Sequence, residues 1–159
     1  MQLPFVHLRV HTEYSLVDSV VRIKPLVKAA AAADMPAIAV TDQSNLFAMV
    51  KFYKAAMAAG IKPIVGVDLW VRNEKDPNSP SRLVLLCKDN RGYRNLTELV
   101  SRTYMDGQHR GMPMLDKQWL EGCSDGLIAL SGGLTGDIGQ ALAAGSEELA
   151  GELLGYWAE

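Results

Sequence analysis

The stretch that decides the fold lies between residues 36 and 71 and reads PAIAVTDQSNLFAMVKFYKAAMAAGIKPIVGVDLWV. Its first six residues, 36–41, form a short apolar run of the kind found in strands buried on both faces. Apolar residues then recur at helical spacing over 44–60, with Ser44 as the expected N-cap and a glycine as the stop. A second apolar run follows at 61–71. Strand, helix and strand in this order predict a βαβ unit with a right-handed crossover.

The same alternation extends in both directions from this unit. The further predicted elements are a strand at 5–10, a helix that begins near Pro25, a strand at 82–88, a helix at 95–105, a strand at 127–131 and two short helices within 135–159. A polar loop, 72–81, separates the third and fourth strands. The pattern predicts an α/β fold with a parallel sheet that curls toward a barrel. Because about eight strands are needed to close such a barrel, five predict a partial barrel that is truncated after Glu159.

The helix predicted at 44–60 carries several large apolar side chains. Phe47, Met49, Tyr53 and Met57 recur at or near helical spacing. Such a row is more often part of a core than a cofactor site. We therefore expect these side chains to pack against the sheet.

Composition excludes several classes of protein. The chain has 159 residues, of which 48% are hydrophobic and 21% charged, and its net charge of -2 gives no basic stripe for direct binding to nucleic acid. Cys87 and Cys123 have neither metal-ligand spacing nor the density of a disulfide scaffold, which predicts a reducing cytoplasm. No signal peptide or apolar run of about 20 residues is present, so no membrane association is expected.

Polar residues lie late in or directly after the predicted strands, at the ends where α/β sheets bind ligands. They are His11, Asp42, Gln43, Asp68 and the turn at 131–133. Two of these positions, Asp42 and the turn at 131–133, also have an alternative role. Asp42 is equally suited to accept the N–H groups that begin the next helix. The segment SGGLTGD, 131–137, suits a tight turn better than a phosphate cradle.

The N-terminal segment FVHLRVHTEYSLVDS, 5–19, places an arginine between two histidines. In a strand His7, Arg9 and His11 share one face, and Arg9 and His11 lie about 6.6 Å apart. Arginine has no lone pair to offer a metal. A lone histidine at a strand end, such as His11, is more often a hydrogen-bonded residue than a metal ligand.

Four blocks of the chain together resemble a known family, namely 5–19, 37–71, 85–101 and 126–142. They are similar to the N-terminal polymerase-and-histidinol-phosphatase (PHP) domain of bacterial replicative DNA polymerase III alpha subunits, in order and over nearly the whole chain. The resemblance implies that residues 1–159 are the N-terminal portion of a distorted (β/α)7, TIM-like barrel. The remaining barrel strands and the polymerase domains would lie outside this chain.

The resemblance also implies where metal ligands would lie in active relatives, which hold up to three metal ions for phosphoester hydrolysis. The first motif of the family is His-x-His, and here Arg9 stands at its first position while His11 keeps the second. Asp18 matches an acidic ligand a few residues later. The second motif is Thr-Asp-His, and in this chain it ends in Gln43.

The later motifs depart from the family in the same way. Asp68 replaces a glutamate late in the third strand, Arg82 replaces a histidine at the start of the fourth, and Gly133 replaces a cysteine after the fifth. Of the seven remnant metal-site positions, those that keep a ligating side chain are His11, Asp18 and Asp68.

This degenerate pattern resembles alpha subunits in which a separate exonuclease, the epsilon subunit, does the proofreading. It implies a scaffold that docks this exonuclease within the polymerase III holoenzyme, with no catalytic residue and no cofactor in this segment. DNA and Mg²⁺ would be bound by the polymerase domains of the parent protein. The alternative is a metal-dependent phosphoesterase or pyrophosphatase that uses Zn²⁺ or Mn²⁺. A free-standing amidohydrolase-like enzyme would need closing strands that this chain lacks.

Overall fold

The computed structural model describes residues 5–74 and 76–158. In these ranges the helices are α1 Ile23–Ala32, α2 Met49–Ala58, α3 Asn90–Met105, α4 Asp137–Ala143 and α5 Glu147–Ala158. The strands are β1 Ala37–Val40, β2 Lys62–Val71, β3 Ser81–Cys87, β4 Gln108–His109, β5 Met112–Leu115 and β6 Leu127–Leu130. Each helix and strand predicted after residue 20 is therefore confirmed, apart from shifts at its ends, although Glu159 of the last predicted helix lies outside the described residues.

The sheet is mixed, and the predicted all-parallel arrangement is wrong. β1 runs parallel to the first half of β2, whereas β3 pairs antiparallel with its second half and β6 pairs antiparallel with β3. The described residues of the loop from 72 to 80 form no helix, and the loop is shorter than the roughly dozen residues that a parallel crossover requires. The chain therefore turns back as a hairpin. Short strands β4 and β5 lie in the stretch expected to be irregular, and β5 pairs parallel with the end of β2.

The N-terminal segment 5–10 is not a strand of the sheet, contrary to the prediction, and the chain bends at Leu8. It lies beside β1, where Ala39 N donates to His7 O at 2.9 Å and Thr41 N donates to Val10 O at 2.8 Å. Val10 N, however, donates to the side-chain Oγ1 of Thr41 at 3.0 Å. This side chain takes the place of a backbone carbonyl and interrupts the ladder.

Helix α2 begins at Met49 and not after Ser44 as predicted. Ser44 has a positive φ of 52°, and its N–H donates to Asp68 O at 2.9 Å, so it belongs to the loop that follows β1. The predicted core face of the helix is also wrong, because Phe47, Tyr53 and Met57 are 67%, 48% and 56% exposed. The face that packs on the sheet and on α1 carries Ala48, Phe52 and Ala56. Two small alanines let the helix approach closely, and Phe52 fills the space between them.

The two faces of β2 have different surroundings, and this difference places the site. Val67, Leu69 and Val71 alternate toward a core shared with β3 and α3. Asp68 and Trp70 point to the opposite face, as the alternation of a strand requires. No helix in the described residues is long and apolar enough to cross a membrane.

Candidate functional site

A buried carboxylate, that of Asp68, lies at the centre of the candidate site. Its Oδ2 atom accepts a hydrogen bond from Arg9 Nε at 2.6 Å and from Arg82 Nη2 at 3.2 Å. His11 Nε2 lies 3.0 Å from the same oxygen, and Arg82 Nε lies 3.1 Å from Oδ1. Three cationic or protonatable side chains therefore surround one acidic group.

The β2–β3 hairpin positions Asp68 and Arg82. Across this hairpin Trp70 is opposite Arg82 and Asp68 is opposite Val84, so Asp68 and Arg82 are diagonal neighbours on one face. The guanidinium carbon of Arg82 lies 4.1 Å from the centroid of the Trp70 ring. Stacking on the ring and pairing with Asp68 together hold the guanidinium in one orientation.

His11 connects two carboxylates. Its Nδ1 lies 2.7 Å from Asp18 Oδ2, and its Nε2 contacts Asp68. Because ionised carboxylates only accept hydrogen bonds, both ring nitrogens must carry a proton, which is the charged imidazolium. The hydrogen bond to Asp68 raises the pKa of His11, burial acts in the opposite direction, and the bond to Asp18 raises the pKa further.

Asp68 is ionised in this environment. Burial alone would raise the pKa of its carboxyl group, but the hydrogen bond from His11 and the charges of Arg82 and Arg9 outweigh it and lower the pKa. The ion pair with Arg82 is more shielded than that with Arg9, since their side chains are 10% and 44% exposed. Arg82 is thus the stronger counter-charge.

Gln43 belongs to the same cluster but contacts the backbone of Asp68 and not its carboxylate. Its Nε2 donates to Asp68 O at 2.9 Å and to Ser44 Oγ at 3.1 Å. Two buried acceptors, Gln43 Oε1 and Asp68 Oδ1, receive no hydrogen bond from the described residues. The 3.1 Å approach of Arg82 Nε to Oδ1 is accordingly a charge contact without hydrogen-bond geometry.

Asp42 holds the segment that follows His11. Its Oδ2 accepts from Thr12 Oγ1 at 2.8 Å, and its Oδ1 accepts from Thr12 N and from Ser15 Oγ at 3.0 Å. Asp42 therefore fixes the turn at Glu13–Ser15 and does not cap helix α2, which excludes one of the two roles left open by the sequence. Sequence reasoning missed Thr12, Ser15 and Trp70, although strand alternation would have placed Trp70 beside Asp68.

The turn at 131–133 lies next to Arg82 through its middle residue. A Cβ on Gly132 would come within 2.5 Å of Arg82 O, while one on Gly133 would meet open space. Both glycines have positive φ, and Gly133–Thr135 forms a 3-10 turn. The segment 131–137 is therefore a tight turn, the role that the sequence favours.

The residues of this site do not fit a divalent metal ion. Two guanidinium groups contact Asp68, and they have no lone pair for a cation. Over residues 5–74 and 76–158, no group of three or more His, Cys, Asp and Glu side chains is arranged to hold a metal. The ion pairs instead join the N-terminal segment, at Arg9, His11 and Asp18, to Asp68 on β2 and to Arg82 on β3. That these are former metal positions stays a prediction.

Residues 7–159 match the family model described as PHP domain, and the chain belongs to this family. It is 53% identical to the DNA polymerase III subunit alpha of Pseudomonas aeruginosa over 100% of its length, and 46% identical to that of Escherichia coli over 98%. The resemblance recognised in the sequence is thus confirmed. The chain spans only 14% and 13% of these relatives.

A solved structure shares the fold. The protein is an amidohydrolase from Chromobacterium violaceum, with bound sulfate and no metal. The two chains superpose with a TM-score of 0.50 at 20% identity, over 63% of this chain and 33% of the other. At this identity the likeness concerns the fold alone.

Proposed function

We propose that this chain is the N-terminal PHP segment of a bacterial DNA polymerase III alpha subunit and serves there as a non-catalytic scaffold in the cytoplasm. Its partner is the proofreading exonuclease of the holoenzyme. The similarity to alpha subunits over the whole chain supports the assignment. The observation that carries the non-catalytic role is the buried Asp68 carboxylate, which is neutralised by Arg9, Arg82 and His11.

Hydrolysis by a metal site needs several ligands and a bound water whose pKa the ion lowers. Here two of the three groups that contact Asp68, Arg9 and Arg82, are permanent cations that can neither bind a metal nor activate water. Their charge instead allows Asp68 to stay ionised while buried, which is the structural part of a metal's role. The proposal therefore assigns neither Zn²⁺ nor Mn²⁺ to this cluster. It assigns the binding of DNA and Mg²⁺ to the polymerase domains of the parent protein.

The curled, TIM-like form of the barrel is part of the same proposal. One edge of β6 pairs with β3, and its side chains include the 48% exposed Ile128. An apolar edge strand of this kind is normally paired or covered. Further strands of the parent protein would extend the sheet from β6.

The docking role is tested with the full-length alpha subunit and a form that lacks residues 1–159 or the complete PHP domain. We expect the purified exonuclease to be retained by the full-length protein at micromolar concentration and physiological salt, and to be lost from the deleted forms. Primer extension by the full-length and deleted proteins without the exonuclease reports whether the polymerase remains folded. Equal retention by all of them would refute the docking role.

The non-catalytic role is tested by elemental analysis of the full-length protein. We expect no stoichiometric zinc or manganese and no phosphoesterase activity that a chelator removes. A matched His11→Ala variant separates the hypotheses, because any activity of a site built on this residue would fall with it. One bound metal per chain, together with activity lost in His11→Ala, would establish the enzyme instead.

A further inference from the structure

A cavity of about 510 Å³ lies away from the Asp68 cluster, between the loop after β2 and the helical pair α4 and α5. None of the residues that surround Asp68 lines it. Its aliphatic surface comes from the two helices and the C-cap of α4 and consists of Ala141, Ala144, Leu149 and Leu153. The volume falls within the range of about 300–1,000 Å³ typical of ligand sites.

The charged residues around this cavity are mostly acidic. Among residues 5–74 and 76–158, four carboxylates line it, from Glu74, Asp116, Asp137 and Glu152, against two cations, from Arg72 and Lys117. The described part of the lining therefore has a formal charge of −2. Lys117 and Asp137 form an ion pair with each other, so the carboxylates of Glu74, Asp116 and Glu152 remain to face one guanidinium.

The walls of the cavity are held together by interactions outside its apolar surface. Lys117 Nζ contacts Asp137 Oδ2 and lies 5.3 Å and 5.1 Å from the ring centroids of Tyr156 and Trp157. Trp157 Nε1 donates to Asp137 Oδ2 at 3.0 Å, and Tyr156 Oη donates to Lys117 O at 3.2 Å. These contacts attach α5 to the turn Lys117–Leu120. Because the cleft is already formed, binding of an occupant would cost little conformational entropy of the protein.

We propose that this cleft docks a short peptide segment of a partner protein, with aliphatic side chains flanked by basic ones. The aliphatic side chains would cover the alanines and leucines of α4 and α5, and the basic ones would face Glu74, Asp116 and Glu152. Charge complementarity selects this occupant over an acidic peptide, because like charges across an interface disfavour binding. The inference goes beyond the scaffold role, since it concerns a second surface and requires no exonuclease.

The probe is a capped, fluorescein-labelled heptapeptide with two central leucines, an arginine on each side of them and glycines elsewhere. Anisotropy titration with the full-length alpha subunit should give saturable binding. Two matched peptides, one with glutamates for the arginines and one with serines for the leucines, should each bind at least about tenfold more weakly. The glutamate peptide tests how much charge contributes to binding, and the serine peptide tests how much the apolar contact contributes.

Variants locate the binding. Ala144→Trp fills the cavity from an exposed helix end and should weaken the arginine peptide by about tenfold or more. Ala143→Trp, its neighbour outside the lining, is the matched control and should change little. Glu152→Gln should weaken binding more at low salt than at high salt, whereas Glu98→Gln on the exposed face of α3 should not.

The proposal is overturned by a lack of saturable binding up to millimolar protein, by equal binding of the glutamate peptide, or by equal effects of the two tryptophan variants. Self-association that Ala144→Trp abolishes, without peptide binding, would assign the cleft to a second copy of the chain and also refute the proposal. Exonuclease retention by Ala144→Trp separates the two proposals. In Ala144→Trp, retention of the exonuclease with loss of peptide binding leaves the scaffold role standing. A wild-type protein that binds the peptide but retains no exonuclease refutes the scaffold role alone.

Discussion

Replacing Arg82 by methionine removes one guanidinium from a buried ion-pair cluster and keeps most of the side-chain volume. Arg82 is only 10% exposed, and Asp68 is fully buried, so water cannot solvate the carboxylate that is left. Removing one partner of a buried ion pair costs about 3–5 kcal/mol. Arg9 and His11 still contact Asp68 and compensate in part, which brings the expected loss to about 2–3 kcal/mol.

The contact with the ring of Trp70 adds to this cost. Stacking of a guanidinium on an indole contributes about 0.5–2 kcal/mol, depending on its desolvation. Methionine keeps some contact with the ring but none of the charge. We therefore expect Arg82→Met to lower the free energy of unfolding by about 3 kcal/mol. Arg9→Met, in a side chain that is 44% exposed, should cost about 1 kcal/mol.

The assay is urea unfolding of the PHP domain carried to its full family length, followed by circular dichroism and fluorescence. The matched control is Arg91→Met, because Arg91 pairs with Asp125 at 2.6 Å on the surface with both side chains more than half exposed. It should cost less than about 0.5 kcal/mol. An Arg82→Met variant as stable as Arg91→Met would refute the claim that Asp68 depends on its cations.

Three further predictions follow from other features. The folded state raises the pKa of His11 above its ordinary 6.5, chiefly through Asp68, so its stabilising contribution is complete below that pH and is lost as the pH rises through the folded-state pKa. The free energy of unfolding, measured below pH 6.5 and above the folded-state pKa, should fall with pH in the wild type by more than in His11→Gln. Parallel pH profiles of the two proteins would contradict this prediction. Gly92→Ala should cost at least about 2 kcal/mol, because its Cβ would lie 1.8 Å from Gly126 O, whereas Gly151→Ala, with nothing within 4 Å, should stabilise α5 by about 0.5–1 kcal/mol; thermal melts distinguish them, and equal melting temperatures would show that the close contact relaxes. The isolated 159-residue chain should self-associate through the edge of β6, whereas the domain carried to its full family length should be monodisperse. Light scattering that finds the isolated chain monodisperse as well would show that this edge needs no cover.

Local periodicity was enough to predict the elements between residues 36 and 71. An apolar run, a helical pattern and a second apolar run are short-range signals, and the structure confirms the strands and the helix they predict. The strand directions were harder to predict, because they depend on whether a connection contains a helix. The sequence of the loop at 72–80 indicates the antiparallel direction of β3, since nine polar-rich residues without helical spacing favour a hairpin.

The buried face of α2 could not be predicted from the helix alone. Both of its faces are apolar, one with Tyr53 and Met57 and the other with Phe52 and Ala56. Which of them faces the sheet depends on how closely the helix can approach. Side-chain size decides this in three dimensions, and helical spacing contains no information about it.

The site was predictable only in part. Strand alternation placed Arg9 and His11 on one face, and the family resemblance added Asp18, Gln43, Asp68, Arg82 and Gly133. The structure brings Arg9, His11, Gln43 and Arg82 into contact with Asp68, and Asp18 into contact with His11. Contacts of Asp42 with Thr12 and Ser15 connect loops about 30 residues apart, and no local pattern indicates such contacts.

The contacts of Asp68 also differ in how far apart their partners lie along the chain, which has a consequence for the order of folding. Arg82 is 14 residues from Asp68, whereas Arg9 is 59 residues away. Closing the longer loop costs about 1.3 kcal/mol more conformational entropy by the logarithmic dependence on loop length. During synthesis the N-terminal segment must also wait until β2 and β3 have left the ribosome. We expect the hairpin to form first and the segment 5–11 to dock last, so that the amides of Ala39 and Thr41, which donate to this segment, exchange with solvent before those of the hairpin.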